Sequence, residues 1–247
     1  MTTVLKVNGD GSGTIDHQLL LTRAALAQIR QFAALAGGRG QRLDLISEDQ
    51  ARAMAGNLGP GVSYVSSTPI DSADGQGRAT TYAFTDISQI RISQQPQPPA
   101  GLTVGVQGLP KDTGSITCSM TRSEDGNVVL HINLPELSLP PAINDSTSGG
   151  TPIAQQMAMI RSLLADARVL IAVEPAGRLV RTSSPYVDGQ RVTLVDANLD
   201  QLLGNEALLA RLQASKSADD LKAALKDVPD LKLTLDREVT IEFTPAK

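Results

Sequence analysis

The chain has 247 residues, 41% hydrophobic and 19% charged, which supplies apolar material for a sizeable core and is not the balance of a disordered chain. It carries no Trp, three Tyr and three Phe, so no stacking platform for bases or sugars is expected. A net charge of −4 without any Lys/Arg run excludes a basic stripe for nucleic acid or anionic lipid. The single cysteine, Cys118, excludes an intramolecular disulfide, and no apolar run reaches the roughly 18 residues that read as a membrane span.

Residues 4–7 and 14–21 read as a β-hairpin around the turn from Asn8 to Gly13, whose glycines allow positive φ. Ile15, His17, Leu19 and Leu21 then share one face of the second strand. Thr22 caps a helix over 23–36 with Leu26, Ile29, Ala33 and Ala36 in one stripe, and Gly37-Gly38 stops it. Ser47 and Gln50 form a capping-box pattern ahead of a helix carrying Ala51, Met54, Ala55 and Leu58, ended by Gly59-Pro60-Gly61. Val62–Ile70 and Arg78–Phe84 read as strands around the polar turn Asp71–Gly77, and Ile90 and Ile92 mark a short third strand.

The proline-rich stretch 94–101 is the best linker in a chain otherwise read as one unit over 1–247. Residues 115–122 alternate cleanly, with Ile116, Cys118 and Met120 on one face. After the turn at Asp125-Gly126, residues 128–134 return with Leu130, Ile132 and Leu134 inward. Pro135–Gly150 reads as a long loop, and Thr151-Pro152 starts a helix with Ile153, Met157, Ile160 and Leu164 on one side. Val169–Val173, Leu179–Thr182 and Arg191–Val195 are further strands, with turns at Pro175–Gly177 and Asp188-Gly189. Two short helices fill 199–213, and Ser217 starts another with Leu221, Ala224, Leu225 and Val228 inward. Val239–Phe243 is a final strand. Strands and helices in blocks, without βαβ alternation, predict an α+β fold: largely antiparallel sheet with hairpins, packed by several amphipathic helices.

The sharpest motif is Asn8, Asp10 and Ser12 at alternate positions with Gly13 and Ile15 beyond, which resembles an EF-hand calcium loop. Position 12 of that motif is Leu19 where a bidentate Glu is needed, and the incoming segment is a strand, so the stretch is read as a hairpin turn. His17 and His131 are the two imidazoles on which any Ser-His-Asp or Cys-His site would have to draw; both fall in strands, and no nucleophile-elbow motif exists. Cys118 sits between Ile116 and Met120 and reads as a small core hydrophobe. Asp44, Glu48 and Asp49, like Asp219 and Asp220, read as helix N-terminal charge. Met157 and Met159 could offer a flexible binding face but have ordinary core spacing, and Asn144-Asp145-Ser146 is a lone glycosylation tripeptide. No residue set is selected as catalytic, cofactor-binding or metal-binding, and no cofactor is expected.

The opening Val4–Ile15, the segment Thr81–Ile87, and Val173–Gly177 with Tyr186–Leu194 resemble mature bacterial envelope lipoproteins of uncharacterised function. The last stretch is similar, more distantly, to the strand–turn pattern of the mycobacterial lipoprotein family typified by LppM. The resemblance rests on turns and strand edges. It implies an exported cell-envelope location, a lipid-modified cysteine ahead of the hairpin in the native form, and no established activity. The leading expectation is therefore a non-enzymatic envelope module that binds a protein or lipid partner, with no nucleic acid, and meets the membrane through that anchor alone. The alternatives are a lipid- or hydrophobe-binding protein with a pocket of roughly 300 Å³ or more, and a hydrolase using His17 or His131 with a carboxylate.

Overall fold

The computed structural model describes residues 1–35, 47–93, 114–135, 167–215, 217–226, 228 and 230–246. In chain order, β1 (Thr2–Val7) and β2 (Gly13–Thr22) lead to α1 (Arg23–Leu35), α2 (Glu48–Leu58), β3 (Ser63–Asp71) and β4 (Gly75–Phe84). A 3-10 turn at Ile87–Gln89 precedes β5 (Arg91–Ser93), β6 (Ser115–Arg122) and β7 (Val128–Asn133). Then come β8 (Arg168–Pro175), β9 (Gly177–Thr182), β10 (Val187–Asp188) and β11 (Arg191–Asn198). The chain ends with α3 (Leu199–Gly204), α4 (Glu206–Ala214), α5 (Ala218–Lys226), β12 (Lys232–Leu233) and β13 (Glu238–Pro245).

The strands form two sheets. The first runs β10-β11-β8-β1-β2-β4-β3, with β12 added against β11, and the second runs β5-β6-β7-β13-β9. The fold is α+β with largely antiparallel sheet, as expected; the exception is the parallel pair β1–β8, with Leu5 opposite Val173. β1 pairs with β8 and β5 with β6, so strands from both sides of residues 94–101 share both sheets.

Period-two patterning explains the layering. Leu5 and Val7 of β1, Ile15 of β2, Tyr82 and Phe84 of β4, and Ile171 and Val173 of β8 turn inward from the first sheet. Ile116 and Cys118 of β6, Leu130 and Ile132 of β7, and Val239 and Ile241 of β13 meet them from the second, in one continuous core. The outward faces carry ion pairs, among them Lys6–Asp16 at 2.8 Å, Arg191–Glu174 at 2.6 Å and Arg181–Glu242 at 2.5 Å. Arg181 and then Asn127 hydrogen-bond the Glu242 carboxylate and hold its pKa below the ordinary value. The chain passes from β8 in one sheet to β9 in the other at Ala176-Gly177. There a side chain at Gly177 would run into the Thr244 carbonyl, so glycine is required.

The helices start where local chemistry starts them. The Ala25 amide donates to Thr22 Oγ1 at 3.2 Å, and Leu26 and Ile29 pack on Leu21. Ser47 and Gln50 make both halves of the capping box, and Ala51, Ala55 and Leu58 are buried. Glu48 and Asp49 stand in the first turn of α2, and Asp219 and Asp220 in that of α5, where the helix dipole favours them. α4 and α5 enclose a separate apolar cluster of Leu208, Leu221 and Leu225.

Two expectations need correction. β4 begins at Gly75, not Arg78, because Gly75 and Gly77 pair with Thr22 and Leu20 of β2 and the backbones approach too closely there for any side chain. The stretch after α5 also contains β12, which pairs with β11 through Val195–Leu233. Ala33, Ala36, Gly37-Gly38, Asp44, the 94–101 linker, Asn144–Ser146 and the Met157/Met159 helix lie outside the residues, or the side chains, described here.

Candidate functional site

The hairpin turn closes on itself. Asp10 Oδ1 accepts from the Ser12 amide at 2.9 Å and the Ser12 hydroxyl at 2.6 Å, and Asn8 Nδ2 donates to Ser12 Oγ at 3.0 Å. The three side chains with calcium-loop spacing are thus spent on one another, Gly11 takes φ 89°, and Leu19 continues β2. Cys118 is buried among the core side chains of β6, and burial pushes its thiol up to about 12, far from a nucleophilic thiolate.

The two histidines have opposite surroundings. His17 faces inward from β2 and is 6% exposed, with Nδ1 3.0 Å from Thr3 Oγ1 and Thr80 opposite on β4. Burial, and secondarily the positive amino terminus, lower its pKa to about 4, so the ring is neutral at ordinary pH. Among the described residues no carboxylate pairs with it.

His131 faces outward from the middle of the second sheet. Its Nδ1 lies 2.5 Å from Glu238 Oε1 on β13 and its Nε2 lies 3.4 Å from Thr121 Oγ1 on β6. These are the diagonal neighbours of an antiparallel sheet: His131 is opposite Ser119 on one side and Thr240 on the other, two residues from each partner. In the tautomer with the proton on Nδ1, that N–H donates to Glu238 and Nε2 is left to accept from the Thr121 hydroxyl, the order of an acid–imidazole–hydroxyl relay. The sequence did not reveal this line, because its members come from three separated strands. Its setting is a solvated sheet face, with side-chain exposures of 31% for His131 and 49% for Glu238, and the longer contact is at the limit of a hydrogen bond.

A cavity of about 280 Å³ opens beside α5. Pro185 and Tyr186 line it, held by the Tyr186 amide donating to Ser184 Oγ at 3.3 Å and by Ser184 Oγ donating to the Thr193 carbonyl at 3.2 Å. Ala223 and Leu225 of α5 and Leu231, Leu233 and Leu235 of the segment after it also line the space. Thr234 and Asp236 complete the lining. Thr234 is buried. Its amide donates to the Leu194 carbonyl at 2.9 Å, while its hydroxyl is the one buried side-chain oxygen among the described residues without a hydrogen-bond partner. The lining is mostly apolar, with Thr234 and Asp236 among its polar members, and the volume is close to the lower limit for small-molecule sites of roughly 300 Å³. Reading the sequence element by element missed it, although Leu231, Leu233 and Leu235 alternate with Lys232, Thr234 and Asp236 in a visible period of two.

Fold and cavity together define a two-sheet α+β protein with a mostly apolar groove beside α5. No protein-family model, curated protein or solved structure matches the chain. Function must therefore be argued from the site.

Proposed function

We propose that this protein is a non-enzymatic binding module of the bacterial cell envelope, lipid-anchored in its native form, and that it takes a hydrophobic ligand or the apolar end of a partner in the groove beside α5. The observation carrying the reading is the groove itself: Tyr186, Leu225, Leu231, Leu233 and Leu235 line an open space of about 280 Å³, whereas the apolar faces of the two sheets close on each other. In this reading α5, which lends Ala223 and Leu225 to the lining, serves the groove, and α4 backs it through the Leu208–Leu221–Leu225 cluster. Envelope location rests on the sequence resemblance and is tested by fractionating the source cell and labelling with a radioactive fatty acid.

Binding is tested on the full chain with the neutral fluorophore N-phenyl-1-naphthylamine, followed by amide NMR shifts. Shifts at Tyr186, Leu225, Leu233 and Leu235 that vanish in Ala223→Phe, whose ring fills the groove, support the reading. Shifts elsewhere, or binding indifferent to Ala223→Phe, remove it.

A second reading, hydrolysis of a small ester, is favoured by the Glu238–His131–Thr121 line. It requires p-nitrophenyl acetate turnover that Thr121→Val and Glu238→Gln each abolish while the fold is retained. Turnover unaffected by either substitution ends it.

A further inference from the structure

We infer that Asn8 is a site of spontaneous covalent modification, where the Gly9 amide nitrogen displaces the Asn8 side-chain nitrogen and the hairpin turn acquires an aspartate or isoaspartate. This is independent of the groove.

Four observations point there. Asn8-Gly9 is the one Asn-Gly step in the sequence, and glycine, having no Cβ, leaves its own nitrogen free to approach the preceding side chain. Asn8 is exposed in the turn between β1 and β2, so water and base reach it. The Gly9 N–H makes no hydrogen bond among the described residues, whereas the neighbouring amides of Asn8, Gly11 and Ser12 donate to the Ser12 carbonyl, the Asn8 carbonyl and Asp10 Oδ1. The Gly9 nitrogen can therefore lose its proton without breaking a protein contact. Finally, packing keeps the susceptible step in place, because a Cβ at Gly9 would lie 2.6 Å from the Pro245 Cβ.

The chemistry balances with water alone. The Gly9 nitrogen gives its proton to solvent base and bonds to Asn8 Cγ, and Nδ2 leaves as ammonia, which closes a succinimide; the reacting groups are held together by the chain itself. Water then opens the ring. Attack at Cγ breaks the new bond and gives aspartate. Attack at the Asn8 main-chain carbonyl carbon breaks the original peptide bond and leaves the chain running through the side chain as isoaspartate.

Either product replaces the Nδ2 donor with a carboxylate oxygen facing Ser12 Oγ, whose proton is already given to Asp10, and sets a second negative charge near Asp10. Isoaspartate also adds a carbon to the backbone where the Arg122 guanidinium of β6 donates to the Gly9 carbonyl at 2.8 Å and Pro245 of β13 packs on Gly9. Modification thus acts where this turn of the first sheet meets two strands of the second.

The test holds the full folded chain at mildly alkaline pH in heavy-oxygen water and follows each asparagine by peptide mass spectrometry with electron-transfer fragmentation. Acid should appear at Asn8 several-fold faster than at Asn57, Asn127, Asn133, Asn198 or Asn205, should carry solvent oxygen, and should include isoaspartate. The thermal midpoint of the unsubstituted protein should fall as it does so. Asn8→Gln, whose ring would be larger, and Asn8→Ser, which has no side-chain amide, should each keep their midpoint through the same incubation. Conversion of Asn8 no faster than that of the other asparagines overturns the inference, as does a product that is aspartate alone, since direct hydrolysis needs no attack by Gly9. A midpoint that falls equally in both variants overturns the structural consequence.

Discussion

Two side chains show at the residue scale how burial alone sets chemistry. His17 has an ordinary pKa of 6.5 in the unfolded chain and about 4 in the folded one, because burial penalises its charged form. Between those values the unfolded chain binds a proton that the folded chain refuses. Stability is therefore fully present above 6.5 and falls as pH drops toward 4, by about 3 kcal/mol over the whole window. Urea denaturation at pH 7 and pH 5 covers part of that window and should show about 2 kcal/mol of the loss, and His17→Gln should flatten it; an equal slope in the variant refutes the assignment. Thr234 makes the complementary case. Replacing its unpartnered hydroxyl by a methyl in Thr234→Val removes a buried unsatisfied group and should raise stability by roughly 1 kcal/mol. Calorimetry decides: a lowered Tm means the hydroxyl is already satisfied in the free protein.

Local signals carry most of the information at the scale of single elements. The capping box of α2, the Thr22 cap of α1 and the β6–β7 hairpin all sit where residue chemistry puts them. Ser47→Ala removes one half of the box and should cost about 1 kcal/mol in urea denaturation; an unchanged midpoint would show that tertiary contacts such as Tyr64–Glu48 hold the helix start without it. Where the sequence misled, the cause was also local. Gly75 and Gly77 look like turn residues, since glycine is poor in strands, but they are what lets β4 lie against the β2 backbone. The two-residue β12 is too short to register by itself, although the Leu231–Leu235 alternation around it is plain.

The defining feature of the whole molecule is that both sheets contribute to one core, from Leu5 and Ile15 on one side to Leu130 and Ile241 on the other. Leu130→Ala should cost about 2–5 kcal/mol, as large-to-small changes in a closed core do, and should lower a single unfolding transition. Two transitions in calorimetry, only one of them sensitive to the substitution, would refute the shared core. The same architecture separates the histidines: His17 lies on an inner face where no described residue pairs an acid with it, and His131 meets Glu238 and Thr121 on an outer one.

The sequence alone determined the α+β class, most strand and helix positions, the inward sides of β2, β6 and β7, and the hairpin turn after Asn8. Each of these depends on neighbours within a few residues, through periodicity, capping and turn chemistry. Tertiary structure alone decided the parallel β1–β8 pair, the Glu238–His131–Thr121 line and the groove around Thr234. Those arise where segments far apart in the chain come within a few ångströms, a distance that no local pattern encodes.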